Sequence, residues 1–106
     1  MGISYDALEQ IKPGIVLVSV TPFGQTGPWR HYQATDLIEY AVSGLGYVNG
    51  RPDREPLKEP GFESYYQGGA SAFAGAMTAL AYRGISGEGQ HVDISIQEAA
   101  VSMFGP

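Results

Sequence analysis

The distribution of apolar and polar residues predicts two β-strands. Residues 15–20 are almost entirely apolar and mostly β-branched, without alternation, which is typical of a strand covered on both faces in a parallel sheet. Residues 91–96 instead alternate polar and apolar positions with the period of two that a strand requires. Gly87 and Gly89 precede this second segment and can adopt the positive φ of a tight turn. We therefore expect strands at 15–20 and 91–96.

Capping patterns predict helices between and after these strands. A short helix is expected to end near residue 10. Asp36 and Glu39 have the spacing of an N-cap and its third helical residue, so Asp36 is predicted to cap a helix that continues to about Leu45. Ser95 begins the same pattern, which predicts a helix starting at Ser95.

The longest uncharged stretch predicts a long helix. Ser64 begins another capping-box pattern, and the helix should continue to about Arg83. We expect this helix to be buried, with a stripe of small residues that allows another backbone to approach closely. The small stripe is Gly68, Ala72, Gly75, Ala76 and Ala79, and a second, apolar face is Phe73, Met77 and Leu80.

The predicted order is strand, helix, helix, strand and helix start, which indicates an α/β fold. We find no internal repeat and expect residues 1–106 to form one unit without an internal boundary. Because the last helix begins shortly before Pro106, we expect the chain to be part of a longer α/β protein.

Composition and charge exclude several classes of function. The 106 residues carry a net charge of −5 and no cysteine. The acidic balance argues against a nucleic-acid partner, and the lack of cysteine removes disulfides, thiolate metal sites and a Cys nucleophile. The uncharged stretch 64–82 is too weakly apolar for a membrane span, and no metal-ligand spacing joins the two histidines. We expect a cytoplasmic protein without a metal site or a membrane partner.

Several segments carry motifs in a defined order. Residues 19–29 read S-V-T-P-F-G-Q-T-G-P-W, residues 36–45 contain D-L and S-G-L, and residues 69–83 are a Gly- and Ala-rich helix ending in arginine. Residues 86–99 read S-G-E-G-Q-H-V-D-I-S-I-Q-E-A. Together they resemble the class III CoA-transferases, the family of formyl-CoA transferase and carnitine CoA-transferase. The main departure in the last motif is Ser86, where that family has threonine.

The resemblance implies the middle of a large Rossmann-like domain from an acyl-CoA:carboxylate CoA-transferase. It implies an acyl-CoA and a carboxylic acid as substrates, no permanently bound cofactor, and an interlocked homodimer. The amino-terminal strands that help to bind CoA in the family would lie outside residues 1–106.

The resemblance also implies a nucleophile position. In the family, an aspartate just before the long helix attacks the thioester; a mixed anhydride forms and CoA leaves. Counted back from Gly89 without gaps, this aspartate falls on Tyr65. A phenol is largely protonated at neutral pH and does not easily replace a carboxylate. Glu63 is the nearest carboxylate, but it would reach the site only if the loop before Ser64 were reshaped; Tyr65 and Tyr66 can equally be aromatic packing at a helix entry.

The loop after the first strand is the candidate substrate site. Thr21, Phe23, Gly24 and Gln25 follow the carboxyl end of a buried strand, where open α/β sheets bind ligands. From spacing alone they could equally be an ordinary glycine turn, but the resemblance places this loop beside the acyl-CoA thioester. We expect the amino end of the long helix to face the same crevice, where its free N–H groups could stabilise oxyanions.

The other polar candidates have structural interpretations. Asp36 is expected to be a helix cap rather than an acid or base. Thr35 stands where the related acyl-CoA racemases have a histidine, which argues against racemisation. Both histidines are interpreted as surface or packing residues. Asp93 is assigned to the polar face of a strand and Glu98 to a capping box.

Two hypotheses for function remain. The first is part of an acyl-CoA:carboxylate CoA-transferase, which requires a carboxylate within reach of the thioester. The second is a non-catalytic acyl-CoA-binding or scaffold member that has lost the nucleophilic aspartate, in which Tyr65 fills that space. A broken open reading frame without a function of its own is a third interpretation.

Overall fold

The computed structural model describes residues 3–104 and shows a mixed α/β fold, so the predicted fold class is confirmed. A two-stranded parallel sheet is covered on one side by a long helix. The elements in chain order are α1 (Tyr5–Ile11), β1 (Val16–Thr21), α2 (Asp36–Val42), α3 (Leu45–Val48), α4 (Glu63–Ser86), β2 (Gln90–Ser95) and α5 (Ile96–Val101).

The two strands pair in parallel over their whole length, from Val16 beside Gln90 to Thr21 beside Ser95. Their carboxyl ends therefore meet at one edge of the sheet. The chain leaves β1 there as a loop, whereas β2 continues directly into α5. This edge is where an α/β sheet presents ligand sites.

Helix α4 crosses the sheet in the direction opposite to the strands. Gly68 lies against Ile96, just beyond the carboxyl end of β2, and Gly75 lies against Val92 in mid-strand. At the other end, Arg83 Nη1 donates to the Gly14 carbonyl before β1. The amino end of α4 is thereby at the same edge as the loop after β1.

The small stripe permits a close approach, but by side chains and not by the backbone that was predicted. A Cβ added at Gly75 would lie 2.8 Å from Val92 Cγ1, and one added at Gly68 would lie 3.0 Å from Ile96 Cγ1. Side chains of β2 and α5, rather than a backbone, occupy the space that these glycines leave. Larger residues at either position would push the helix away from the sheet.

The prediction that α4 is buried is wrong for most of the helix. Only Ser64, Gly68 and Ala79 are buried, whereas Phe73 is 69% exposed and Met77 51% exposed. A single helix on a two-stranded sheet has just one covered side, so the apolar second face remains exposed.

The buried apolar residues among residues 3–104 are few: Tyr40, Ala79, Ile96, Ala99 and Ala100. No helix among residues 3–104 combines the length and apolarity of a membrane span.

Two of the predicted caps differ from the structure. Helix α2 starts at Asp36 itself, after Thr35 as N-cap. Helix α4 starts one residue before Ser64, which lies inside the first turn and makes no side-chain cap. The Asp36 carboxylate instead accepts the Ser64 N–H in the first turn of α4. The third cap is confirmed, because Ser95 Oγ accepts the Glu98 N–H at 3.3 Å.

Glycine explains another shifted boundary. Residues 36–45 were expected to form one helix, but α2 ends at Val42 and α3 begins at Leu45. Gly44 between them has φ +94, a left-handed conformation that glycine adopts without steric cost.

Candidate functional site

The loop after β1 lies directly on the carboxyl end of β2. Gly24 is buried and has φ +77, and a Cβ there would lie 3.6 Å from both Asp93 Oδ2 and Ser95 Cβ. The left-handed glycine turns the chain back over the edge of the sheet. Of the predicted substrate-binding residues, Thr21, Phe23, Gly24 and Gln25, the first ends β1 and the others form this loop.

Two hydrogen bonds hold the loop to the neighbouring strand and helix. The Gln25 N–H donates to Asp93 Oδ2 at 2.8 Å. The Gln97 N–H donates to the Pro22 carbonyl at 3.0 Å. The backbone of this segment is therefore fixed at both ends, a condition for a site that binds a ligand in one geometry.

An aromatic cluster adjoins the loop. The Phe23 ring meets Trp29 and Tyr32 edge to face, with centroids 5.7 and 6.4 Å apart. Two surface depressions, of about 290 and 230 Å³, include Phe23 and Trp29 in their walls. A larger depression of about 430 Å³ is formed by another loop, within residues 46–56, and contains none of the predicted site residues.

Thr21 offers a free polar group at this edge. Its Oγ1 is buried and has no hydrogen-bond partner among the residues that the structure describes. An unsatisfied buried hydroxyl is costly, so Thr21 Oγ1 is an unmet hydrogen-bonding group at the end of β1, and it is closed to solvent in this arrangement.

The amino end of α4 is capped by a residue from α2. Asp36 Oδ1 accepts the Ser64 N–H at 3.1 Å, and Lys58 Nζ lies 2.7 Å from Asp36 Oδ2. Asp36 and Ser64 are both buried. One of the first N–H groups of α4 is thus occupied, and a carboxylate already lies at the positive end of the helix dipole.

The position expected for the nucleophile carries a surface aromatic. Tyr65 is 41% exposed and its ring stacks on Phe62, with centroids 6.1 Å apart and planes within 5°. Glu63 is half-buried in the first turn of α4. No hydrogen bond among residues 3–104 joins Tyr65 or Glu63 to the loop after β1, although both elements lie at the same edge of the sheet.

A comparison with known proteins identifies the family. The model of CoA-transferase family III matches residues 1–106. The chain belongs to CoA-transferase family III. The resemblance that the motifs indicated is therefore confirmed.

The relatives within this family are named CoA-transferases. The chain is 37% identical over 105 residues to acetyl-CoA:oxalate CoA-transferase of Acetobacter aceti, covering 98% of this chain and 27% of that protein. It is 33% identical over 95 residues to succinate–glutarate CoA-transferase of Agrobacterium fabrum, covering 90% of this chain and 24% of that protein. The chain thus spans about a quarter of the length of these relatives.

A solved structure confirms the fold of this family segment. A CaiB/BaiF family protein from Brucella suis superposes with a TM-score of 0.94 at 29% identity, covering 98% of this chain and 28% of that one. The strand–loop–helix arrangement described above is therefore shared with a family member.

One buried acid in this family III chain was missed by the sequence analysis. Glu39 is fully buried and neither carboxylate oxygen has a hydrogen-bond partner among the described residues. Burial, and secondly the negative charge of Asp36, raises its pKa from 4.5 to about 7. The sequence contains a pattern that indicates this burial. Asp36, Glu39 and Tyr40 share one face of α2 at helical spacing, and the C-cap residue Ser43 continues it.

The histidines lie outside the loop. His91 Nε2 is 2.8 Å from Ser19 Oγ, and the His91 ring stacks on Tyr5 with centroids 5.9 Å apart. His31 is exposed. Residues 3–104 contain no group of three His, Asp or Glu side chains arranged to hold a metal ion.

Proposed function

We propose that this chain belongs to an acyl-CoA:carboxylate CoA-transferase and contributes the loop beside the acyl-CoA thioester. The observation that carries the proposal is the loop Pro22–Gln25 at the carboxyl edge of the sheet, which one hydrogen bond joins to β2 and another to α5. A fixed backbone can offer N–H groups to a thioester carbonyl without positive side chains, which suits a chain with net charge −5.

The transfer reaction requires a carboxylate. In the proposed chemistry, a carboxylate oxygen attacks the thioester carbonyl carbon, the C–S bond breaks, and CoA leaves as the thiolate. The mixed anhydride that forms allows the acyl group to pass between carboxylates. Counted from the glycine motif, the family's position for this carboxylate falls on Tyr65, and Glu63 is the alternative carboxylate in the same turn.

The second candidate function is a non-catalytic acyl-CoA-binding or scaffold member of the family. The stacking of Tyr65 on Phe62 favours it, because the phenol ring has a packing role. The occupied Ser64 N–H also favours it, because it leaves one donor fewer at the amino end of α4 for an oxyanion.

Further features belong to the same proposal. Residues 1–106 would form one part of a large Rossmann-like domain, without an internal boundary. The protein would act in the cytoplasm as an interlocked homodimer and would hold no permanent cofactor. Acetyl-CoA and succinyl-CoA, with dicarboxylic acids as acceptors, are the first substrates to test, since relatives are named for such pairs.

The discriminating experiment uses the protein expressed from its native gene, with any sequence that flanks residues 1–106. CoA transfer from acetyl-CoA to oxalate, and from succinyl-CoA to malate, is measured by the appearance of the new thioester. Transfer that is lost in Glu63→Gln would support the transferase. Weak or no transfer that rises in Tyr65→Asp, the outcome expected from the missing aspartate, would support the non-catalytic candidate; Tyr66→Asp, one residue further along the exposed helix end, is the matched control. Robust native transfer that survives Glu63→Gln would show that the nucleophile lies elsewhere.

A further inference from the structure

Asp93 connects the second strand to the candidate loop. It lies on β2, opposite Ser19 of β1 in the sheet register. Its Oδ2 accepts the Gln25 N–H at 2.8 Å, a short distance typical of a hydrogen bond to a charged acceptor. The sequence assigned Asp93 only to the polar face of a strand, so this connection is an addition from the structure.

The backbone of the loop is shaped around this carboxylate. Gly24 has φ +77 and lies so close that a Cβ would be 3.6 Å from Asp93 Oδ2. The left-handed conformation at Gly24 directs the chain so that the next N–H, that of Gln25, meets the carboxylate. The turn and its acceptor therefore form one unit.

A second tie lies on the other side of the turn. The Pro22 carbonyl accepts the Gln97 N–H from the first turn of α5. Loss of Asp93 would leave the loop held at Pro22 alone, with Gly24 and Gln25 free to leave the edge of the sheet. Gly24 is buried and Gln25 is exposed, so the segment changes from protein interior to surface within one residue.

The acidic charge of Asp93 has a specific explanation in this arrangement. A carboxylate repels an anionic ligand such as CoA, so an acid at this edge of the sheet requires a structural reason. That reason is the hydrogen bond from the Gln25 N–H, which makes Asp93 the support of the loop backbone.

We infer that Asp93 is the positioning residue of the acyl-CoA site: it holds Gly24 and Gln25 in the geometry that receives the thioester. This inference rests on the proposed function. Asp93 acts through the backbone of the loop and does not itself contact the reacting atoms. Asp93→Ala should therefore weaken acyl-CoA binding by about tenfold, the effect of one charge-assisted hydrogen bond. Asp93→Asn keeps an acceptor oxygen and should recover most of the affinity.

The test uses the protein from its native gene and acetyl-CoA as the probe. Residue-resolved hydrogen exchange follows the Gln25 amide, and calorimetry gives both the dissociation constant and the fraction of binding-competent protein. His91→Ala, on the same face of β2 but bonded to Ser19, is the matched control. A merely structural defect would lower the competent fraction and leave the dissociation constant of the remaining protein unchanged.

We expect faster exchange of the Gln25 amide and weaker acetyl-CoA binding in Asp93→Ala, with recovery in Asp93→Asn and no change in His91→Ala. Unchanged exchange in Asp93→Ala would overturn the inference whatever the ligand. Faster exchange with an unchanged dissociation constant would overturn the positioning role while acyl-CoA binding stands. Failure of the wild-type protein to bind acetyl-CoA would contradict the proposed function itself, and with it the role assigned to Asp93.

Discussion

Asp36 in α2 caps a helix that begins 27 residues later: its Oδ1 accepts the Ser64 N–H at 3.1 Å. Lys58, in the loop between α3 and α4, lies 2.7 Å from the other carboxylate oxygen. The amino end of α4, where the family resemblance places the nucleophile, is therefore oriented by α2 and by this loop. A buried carboxylate with both partners is also costly to disturb.

Removal of this carboxylate should destabilise the protein. Asp36→Ala leaves the Ser64 N–H and the Lys58 ammonium without their partner, so we expect the free energy of unfolding to fall by about 2–3 kcal/mol. Asp36→Asn retains an acceptor for Ser64 and should cost less. Chemical denaturation measures both changes. Asp53→Ala, which removes an exposed ion pair with Arg51, is the control and should change stability by less than about 1 kcal/mol.

Glu39 predicts a specific pH dependence of stability. Its pKa is raised from 4.5 to about 7 by burial and by Asp36, so between these pH values the native state binds a proton that the unfolded chain releases. The free energy of unfolding contributed by this group is complete below about pH 4.5 and is lost as the pH rises to about 7. The full loss is about 3 kcal/mol.

The Glu39 prediction is checked by denaturation at a series of pH values. Glu39→Gln cannot titrate and should lose this decline, while the exposed control Glu55→Gln should keep the wild-type profile. Identical profiles for Glu39→Gln and the wild type between pH 4.5 and 7 would show that folding does not raise the pKa of Glu39.

The exposed apolar face of α4 predicts self-association of the 106-residue chain. Phe73 and Met77 are largely exposed, and the sheet has only two strands, so its outer edges are unpaired within residues 3–104. We expect a chain that is marginally stable or aggregates. Light scattering during gel filtration should show less association for Phe73→Gln with Met77→Gln than for the control Ala74→Gln. A monodisperse monomer with a sharp, reversible thermal transition would contradict this prediction.

Gly24 should be more sensitive than its small size suggests. A side chain at φ +77 is strained, and its Cβ would face Asp93 and Ser95. Gly24→Ala should therefore cost about 1–2 kcal/mol of stability, and Gly24→Val more, so the alanine variant is the better probe of binding. We expect its affinity for acetyl-CoA to fall, while Gly27→Ala should change affinity little, since nothing lies within 4 Å of a Cβ there. Unchanged calorimetric affinity in a folded Gly24→Ala variant would remove the loop from the site.

The features that could be predicted from the sequence are those set by residues close together in the chain. The alternation of polar and apolar residues predicted β2, and the capping-box spacing predicted the Ser95 cap. The stripe of small residues predicted which face of α4 contacts β2 and α5. The missed features depend on contacts between distant residues. The cap of α4 comes from Asp36, and the anchor of the loop comes from Asp93, 68 residues from Gln25. No periodicity within a single element indicates which backbone N–H a carboxylate will meet across the fold.

The burial of α4 was overestimated for a related reason. An uncharged helix is usually buried, but what covers it must come from other elements. Residues 3–104 supply one sheet face, α2 and α5; Gly68 and Ala79 are buried, but Phe73 remains in contact with solvent. The aspartate position was inferred by counting from a motif, and the structure adds the packing of Tyr65 on Phe62.

The central claim is that the loop after β1 belongs to an acyl-CoA site. Its most direct test is a calorimetric titration of the protein from its native gene with acetyl-CoA, repeated with Gly24→Ala. The account predicts saturable binding in the range of about 1 μM to 1 mM in which the KM values of enzymes commonly lie, and weaker binding in the variant. Absence of saturable binding by the folded protein at millimolar acetyl-CoA would contradict it.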